Sequence, residues 1–301
     1  MNGLGMMPVS TTGLESDPDP AANYDEAVQR FQAVVEEEQA IVNEAGFSQL
    51  MIVGEETELV YMLIHGTTNS PLQFVELGEI LYALGHNVLI LRMPHHGLAS
   101  HDVGELANLK AEELRAYADS AVDIAAGLGE ETIVIGLSGG GAVAAWIAQN
   151  RDDVERVVTL SPFFGVPEAP PYLNTFLMNL ASRVPSVTLK DPAEPEHDWV
   201  YQGEATRGVA EFMRLGRAVF AEAGELAPAV AEIHFITTAI DDTADNDYTA
   251  ELADMWREAD AAVTTFEFDE ATNIPHNSVD PAKKALVYTK ILDVPGEEPL
   301  E

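Results

Sequence analysis

From Leu59 onward, short apolar runs alternate with longer stretches in which apolar residues recur at helical spacing. The short runs cover residues 59–64, 87–91, 132–135, 156–160, 233–238 and 264–268, and each has the length of a strand buried on both faces. Between them the pattern changes period: Phe74, Leu77, Ile80, Leu81 and Leu84 fall on one side of a helix, and a second helical pattern runs from Gly140 to Asn150. Strands that alternate with helices in this way predict an α/β fold with a mostly parallel central sheet flanked by helices. The core is expected over residues 24–161 and 207–301, with a helix at its start over 24–43 whose apolar side holds Phe31, Val34, Val35 and Ile41. Residues 1–23, rich in Gly, Ser, Asp and Pro, read as a loose arm.

The alternation fails in one place. Between Pro162 and about Thr206 there are several prolines and scattered large apolar residues, among them Phe163, Phe164, Tyr172, Phe176, Trp199 and Tyr201. This stretch, 162–206, is expected to be a small cap inserted after the sixth core strand, because its excess of aromatics exceeds what a plain connection needs.

Composition narrows the chemistry. The chain has 301 residues, 47% of them hydrophobic, ample for a full core. It contains no cysteine, which removes disulfides, a Cys-zinc site and a thiol nucleophile together. Acidic residues number 51 against 15 basic ones, a formal net charge of −36. Such a field repels nucleic acid and anionic lipid surfaces, so a nucleic-acid partner is not expected. Two readings of the acidity stay open, adaptation to high salt and an ordinary acidic bacterial protein. No apolar run is long enough for stable membrane insertion, and the first residues lack a basic, then apolar, leader. The expected location is the cytoplasm, with secretion left open.

Candidate chemistry gathers around Gly136-Leu137-Ser138-Gly139-Gly140, a G-x-S-x-G sequence directly after the strand at 132–135 and directly before a helix. A serine on so sharp a turn needs glycines two residues either side, where side chains would collide, and the helix N-terminus offers free N–H groups to a developing oxyanion. Upstream, Ile64-His65-Gly66-Thr67-Thr68 ends the first strand and places the Thr67 N–H to face the serine. The N–H groups of Thr67 and Gly139 are thus the expected oxyanion hole, with His65 supporting the loop. Of eight histidines, His276 follows the last strand and precedes the final helix, where a base can reach the C-terminal edge of the sheet. His95, His96 and His101 follow the second strand and are candidates for the site entrance. No carboxylate accompanies them at ligand spacing, so no metal is expected. The orienting acid should follow the strand at 233–238, where Asp241, Asp242 and Asp245 are available; Asp242 is the choice, with the other two as fallbacks. Leu137, Phe163 and Thr68 are expected to touch substrate.

HGTTNSPLQF and RMPHHG within residues 59–101, the 136–140 turn and Ala205-Thr206-Arg207-Gly208 resemble bacterial α/β-hydrolases of the carboxylesterase, monoglyceride-lipase and lysophospholipase type. The resemblance extends over residues 24–295. It implies the α/β-hydrolase fold, nucleophile, acid and base roles for Ser138, Asp242 and His276, and cofactor-free hydrolysis of carboxylic esters with short- to medium-chain acyl or monoacylglycerol-like groups. Many relatives carry an apolar residue after His-Gly where this chain has Thr67, whose hydroxyl either adds a donor to the oxyanion hole or reshapes the acyl pocket. Peptidase, thioesterase and acyltransferase chemistry would use the same three residues. Glu194, Glu196 and Asp198 are the acids that could hold a substrate amine. A ligand-binding protein without turnover is the rival from another class. Dehalogenation needs an aspartate where Ser138 stands. Oligomeric state is not legible.

Overall fold

The structure, a computed structural model, describes residues 7–167, 169–190, 197, 199–279 and 284–293. In chain order its elements are α1 (Tyr24–Glu38), β1 (Gln49–Met51), β2 (Thr57–Ile64), α2 (Val75–Ala83), β3 (Asn87–Ile90), α3 (Ala111–Ala125), β4 (Gly129–Leu137), α4 (Gly139–Asn150) and β5 (Arg156–Leu160). There follow α5 (Pro171–Ala181), β6 (Thr188–Leu189), β7 (Glu204–Ala205), α6 (Thr206–Ala223), β8 (Glu232–Thr238), α7 (Asn246–Glu258), β9 (Ala262–Phe268) and α8 (Lys284–Asp293). No helix among the described residues is long and apolar enough to cross a membrane.

Seven strands form one sheet in the order β1-β3-β2-β4-β5-β8-β9. All neighbours are parallel except β1, which adds antiparallel to β3. The six expected strands are all present; β1, at three residues, is too short to show a period. The alternation of side chains sorts the sheet into two cores. Val60, Met62, Ile64, Val134, Val157 and Phe235 pack under α3, α4, α6 and α7, whereas Tyr61, Leu63, Ile133, Ile135, Val158 and Ile236 pack under α2 and α8. A sheet covered on both faces is what makes its central strands apolar; the edge strand β9, expected over 264–268 to be buried on both faces, is instead mostly exposed.

From β2 the chain steps outward to β3, then returns to place β4 on the other side of β2. The strand order therefore reverses between β2 and β4, and the crevice at their carboxyl ends is where ligands bind in open α/β sheets. Ile64 pairs with Gly136 there, so the His65-Gly66-Thr67 loop and the Ser138 turn leave the sheet side by side.

Three expectations change. The helix expected over 24–43 ends at Glu38. Val42 instead bridges to Leu98 and the Ile41 carbonyl accepts from Ala99 N–H, so the backbone has left helical geometry. The insertion follows the fifth described strand of the large sheet, not a sixth; it carries α5 and the β6–β7 ribbon, both outside that sheet. The arm is not loose over its described residues 7–23. Leu14 is fully buried and its carbonyl accepts the Trp146 indole N–H at 2.9 Å. Ser16 Oγ and Asp17 N–H donate to Asp119, and Asp19 N–H donates to Asp123. Val9 N–H donates to Asn179 on α5, and Arg214 on α6 donates to the Ser10 carbonyl. Polar composition suggested an arm in solvent, but its polar groups are spent on the core helices.

Beneath the arm lies a buried charge cluster. The Arg151 side chain is 0% exposed and pairs with Asp119 at 3.1 Å, Asp123 at 2.7 Å and Asp153 at 2.7 Å. Three carboxylates around one guanidinium leave none of these buried charges alone.

Candidate active site

Ser138 occupies the turn between β4 and α4 with φ 57° and ψ −117°, a region that L residues rarely enter. The strain is held by backbone bonds: Ser138 N–H donates to the Leu160 carbonyl at 2.9 Å, and its own carbonyl accepts from Ala142 and Phe163. Gly136 and Gly140 are there for space. A Cβ on Gly136 would lie 2.2 Å from the Gly140 oxygen, and one on Gly140 would lie 2.3 Å from the Ile64 oxygen. These contacts are backbone against backbone and have nowhere to relax.

The Ser138 hydroxyl is 2.8 Å from His276 Nε2, and His276 Nδ1 is 2.8 Å from Asp241 Oδ2. The acid expected from sequence is Asp242; the carboxylate that meets the imidazole is Asp241. Its side chain is 0% exposed, and Oδ1 accepts the N–H groups of Thr243 at 3.0 Å and Ala244 at 2.8 Å. That tight turn faces Asp241 inward and leaves Asp242 exposed, where among the described residues it accepts from the neighbouring Thr243 hydroxyl. Asp245, the other fallback, caps α7 through Asp247 N–H. Burial pushes the Asp241 pKa up, but the hydrogen bond and charge of His276 and the two backbone donors outweigh it, and the net shift is downward.

Thr67 and Gly139 adjoin at the mouth of the turn; a Cβ on Gly139 would come 2.6 Å from Thr67 Cγ2. Gly139 opens α4, so its N–H has no partner within the helix. The Thr67 hydroxyl is committed elsewhere, donating to Glu204 Oε1 at 2.8 Å. His65 is fully buried beneath this loop, with Nδ1 2.9 Å from the Gly66 carbonyl and Nε2 accepting from Met93 N–H. Burial, then the neighbouring His96, holds its pKa well below the usual histidine value, which suits a neutral structural ring. Gln73 ties two loops together, accepting from Gly66 N–H at 2.7 Å and donating to Asn277 beside His276 at 3.1 Å.

Two spaces open from Ser138. One, of about 490 Å³, draws most of its wall from polar residues, among them Thr68, Asn69, Gln73, Gln202, His276 and Asn277, although apolar atoms supply the larger part of its surface, and it also includes Leu137. The other, of about 640 Å³, is walled by Phe163, Val166, Pro167, Leu189 and Val209 beside Ser138 and Asp241. Leu189 and Glu204, from the β6–β7 ribbon, belong to both. Leu137 and Thr68 thus face the polar space and Phe163 the apolar one. His95, His96 and His101 line neither: His95 meets Glu113, His96 is buried against His65, and His101 meets Asn43. Glu194, Glu196 and Asp198 lie outside the described residues. Glu204 and Asn277 carry no motif or period in the sequence, and Gln73 lies within HGTTNSPLQF without a spacing that marks its role.

A hydroxyl, an imidazole and a buried carboxylate in series can withdraw a proton from the hydroxyl as it attacks a carbonyl. A family profile described as the Alpha/beta hydrolase family matches residues 62–283. No curated protein matches the chain. Among solved structures, a monoacylglycerol lipase of Paleococcus ferrophilus is similar at 16% identity and a TM-score of 0.62, over 82% of this chain and 96% of that one. A monoglyceride lipase of Saccharomyces cerevisiae follows at 13% identity and 0.61, over 84% and 93%. A metagenome-derived lipolytic enzyme gives 16% identity and 0.59, over 84% and 98%. At these identities the likeness is one of fold.

Proposed function

Because this chain belongs to the Alpha/beta hydrolase family, we propose that it is a serine hydrolase of carboxylic esters that works through Ser138, His276 and Asp241. The observation that carries the reading is the unbroken relay, 2.8 Å from Ser138 Oγ to His276 Nε2 and 2.8 Å from His276 Nδ1 to Asp241. His276 takes the Ser138 proton as Oγ adds to the ester carbonyl. The carbonyl oxygen gains its negative charge beside the N–H groups of Thr67 and Gly139 and the positive end of α4. Collapse of the tetrahedral species expels the alcohol, which leaves with the proton from His276. Water then repeats the sequence on the acyl-enzyme, activated by the same imidazole. Asp241 stays ionised throughout, holds the imidazole in the tautomer with its free lone pair toward Ser138, and stabilises the imidazolium.

The apolar space fits the acyl chain and the polar one the alcohol, which favours short- to medium-chain or monoacylglycerol-like esters. Hydrolysis of p-nitrophenyl esters from acetate to palmitate tests this, with Ser138→Ala as control. Turnover should favour the shorter chains and fall by at least about 10⁴-fold in the variant. Full activity in Ser138→Ala would remove the assignment.

A further inference from the structure

Glu204 is the one carboxylate of the β6–β7 ribbon described at the cavity, and it lines both spaces that open from Ser138. Among the described residues it has a single hydrogen bond, from the Thr67 hydroxyl to Oε1, and no lysine or arginine pairs with it. The second oxygen has no donor among the described residues. This contrasts with the buried acids Glu38, which meets Arg92, and Asp119 and Asp123, which meet Arg151. Glu204 is half-buried and keeps some contact with the open spaces, and a carboxylate largely withdrawn from water without a cation still carries a desolvation cost. That cost shows in its titration: burial pushes Glu204 up to about 7, against the opposing Thr67 hydrogen bond.

We infer that Glu204 is a specificity-determining residue whose free oxygen receives a cationic amine carried by the substrate near its scissile carbonyl. The inference rests on the hydrolase reading of the same site and narrows its substrate class to amine-bearing esters or amides. Thr67 fixes one oxygen, so the carboxyl is oriented before the ligand arrives. A bound ammonium supplies the charge-assisted partner that the protein withholds. The surroundings agree in sign. Asp242 lines both spaces and Asp241 the apolar one, while the positive or titratable groups in the polar space are His276, Tyr201 and the exposed Lys190. The net charge of −36 draws cations toward the molecule and repels anions.

Ligand linkage fixes the sign of the pH effect. An ammonium binds the ionised carboxyl, so its affinity rises as pH rises through about 7 and levels off above it. A neutral isostere gains nothing from that ionisation.

Benzylammonium and benzyl alcohol form a matched pair of probes. Their binding is measured by calorimetry on the full chain, at moderate salt and between about pH 6 and pH 8, in the wild type and in Glu204→Gln. Glutamine keeps an acceptor for the Thr67 hydroxyl, so the site is preserved while the charge is lost. The wild type should bind one benzylammonium at least about tenfold more tightly than benzyl alcohol above neutrality, and Glu204→Gln should erase that preference. Competition between benzylammonium and p-nitrophenyl butyrate places the probe beside Ser138. Equal affinity for the two probes in the wild type, or a preference that survives in Glu204→Gln, overturns the inference. Calorimetry needs no turnover, so a failure of the esterase reading and a failure of this one register separately.

Discussion

Replacing Asp241 by asparagine swaps one oxygen for an amide nitrogen, and the surrounding donors decide where that nitrogen sits. Oδ1 accepts two backbone N–H groups, at 3.0 Å from Thr243 and 2.8 Å from Ala244, so the amide oxygen must stay there. The NH₂ group is then forced into the Oδ2 position, 2.8 Å from His276 Nδ1. It donates to Nδ1, the ring proton moves to Nε2, and Nε2 presents a proton to Ser138 in place of a lone pair. The charge that stabilises the imidazolium is lost in the same step. A wrong tautomer in such a relay costs about 10⁴-fold in kcat, which is about 5.5 kcal/mol of transition-state stabilisation. Asp242→Asn alters an exposed side chain in the wall of both spaces that has no hydrogen bond to His276, and should lower kcat far less than Asp241→Asn. Steady-state hydrolysis of p-nitrophenyl butyrate by both variants, with circular dichroism to verify folding, compares them directly. A folded Asp241→Asn that retains a tenth of wild-type activity, or an Asp242→Asn that is the more damaged of the two, refutes the reasoning.

Arg151→Ala leaves the Asp123 carboxylate without its guanidinium and Asp119 with Arg115 alone, and should cost about 3–5 kcal/mol, read as a lower denaturant midpoint, with faster proteolysis within residues 7–23. Gly140→Ala drives a Cβ to within 2.3 Å of the Ile64 oxygen, and the variant should lose at least about 3 kcal/mol or fail to fold; a melting temperature within a degree or two of wild type would contradict the close approach. Glu204 has a folded pKa raised to about 7 from an ordinary 4.5, so the folded state holds its proton more tightly and stability falls as pH rises from 4.5 to 7. The penalty, complete above about pH 7, is on the order of 3 kcal/mol. Glu204→Gln should therefore raise the melting temperature more at pH 8 than at pH 5, and an equal change at the two would remove the effect.

The sequence carries those parts of this molecule that depend on period and on fixed spacing. The six long strands, the glycine-flanked Ser138 and the loop bearing His276 follow from apolar runs and from backbone crowding, both of which are local. Asp241 and Asp242 are adjacent acids after one strand, and which faces inward is set by the two N–H donors of a turn that has no period. Three-residue β1 lies below the length at which alternation can be seen. Glu204 stands 66 residues beyond Ser138 in the numbering, and only the folding of a ribbon over the sheet brings it to the cavity. The arm misleads for a different reason: Ser and Asp favour solvent on average, and here they meet donors and acceptors that sequence does not display.

That arm also says something about time. Its bond to Asn179 spans 170 residues and its bond from Arg214 spans 204. During synthesis, residues 7–23 leave the ribosome well before α4, α5 and α6, and they find their last partners only after α6 has emerged. Until α4 emerges, Leu14 has no indole to bond. Contacts of such separation form slowly because a long loop must close before they reward it. The segment that begins the described chain is therefore a late arrival in its folding, and the seam it closes, across α3, α4, α5 and α6, joins the insertion to the core only when both are already in place.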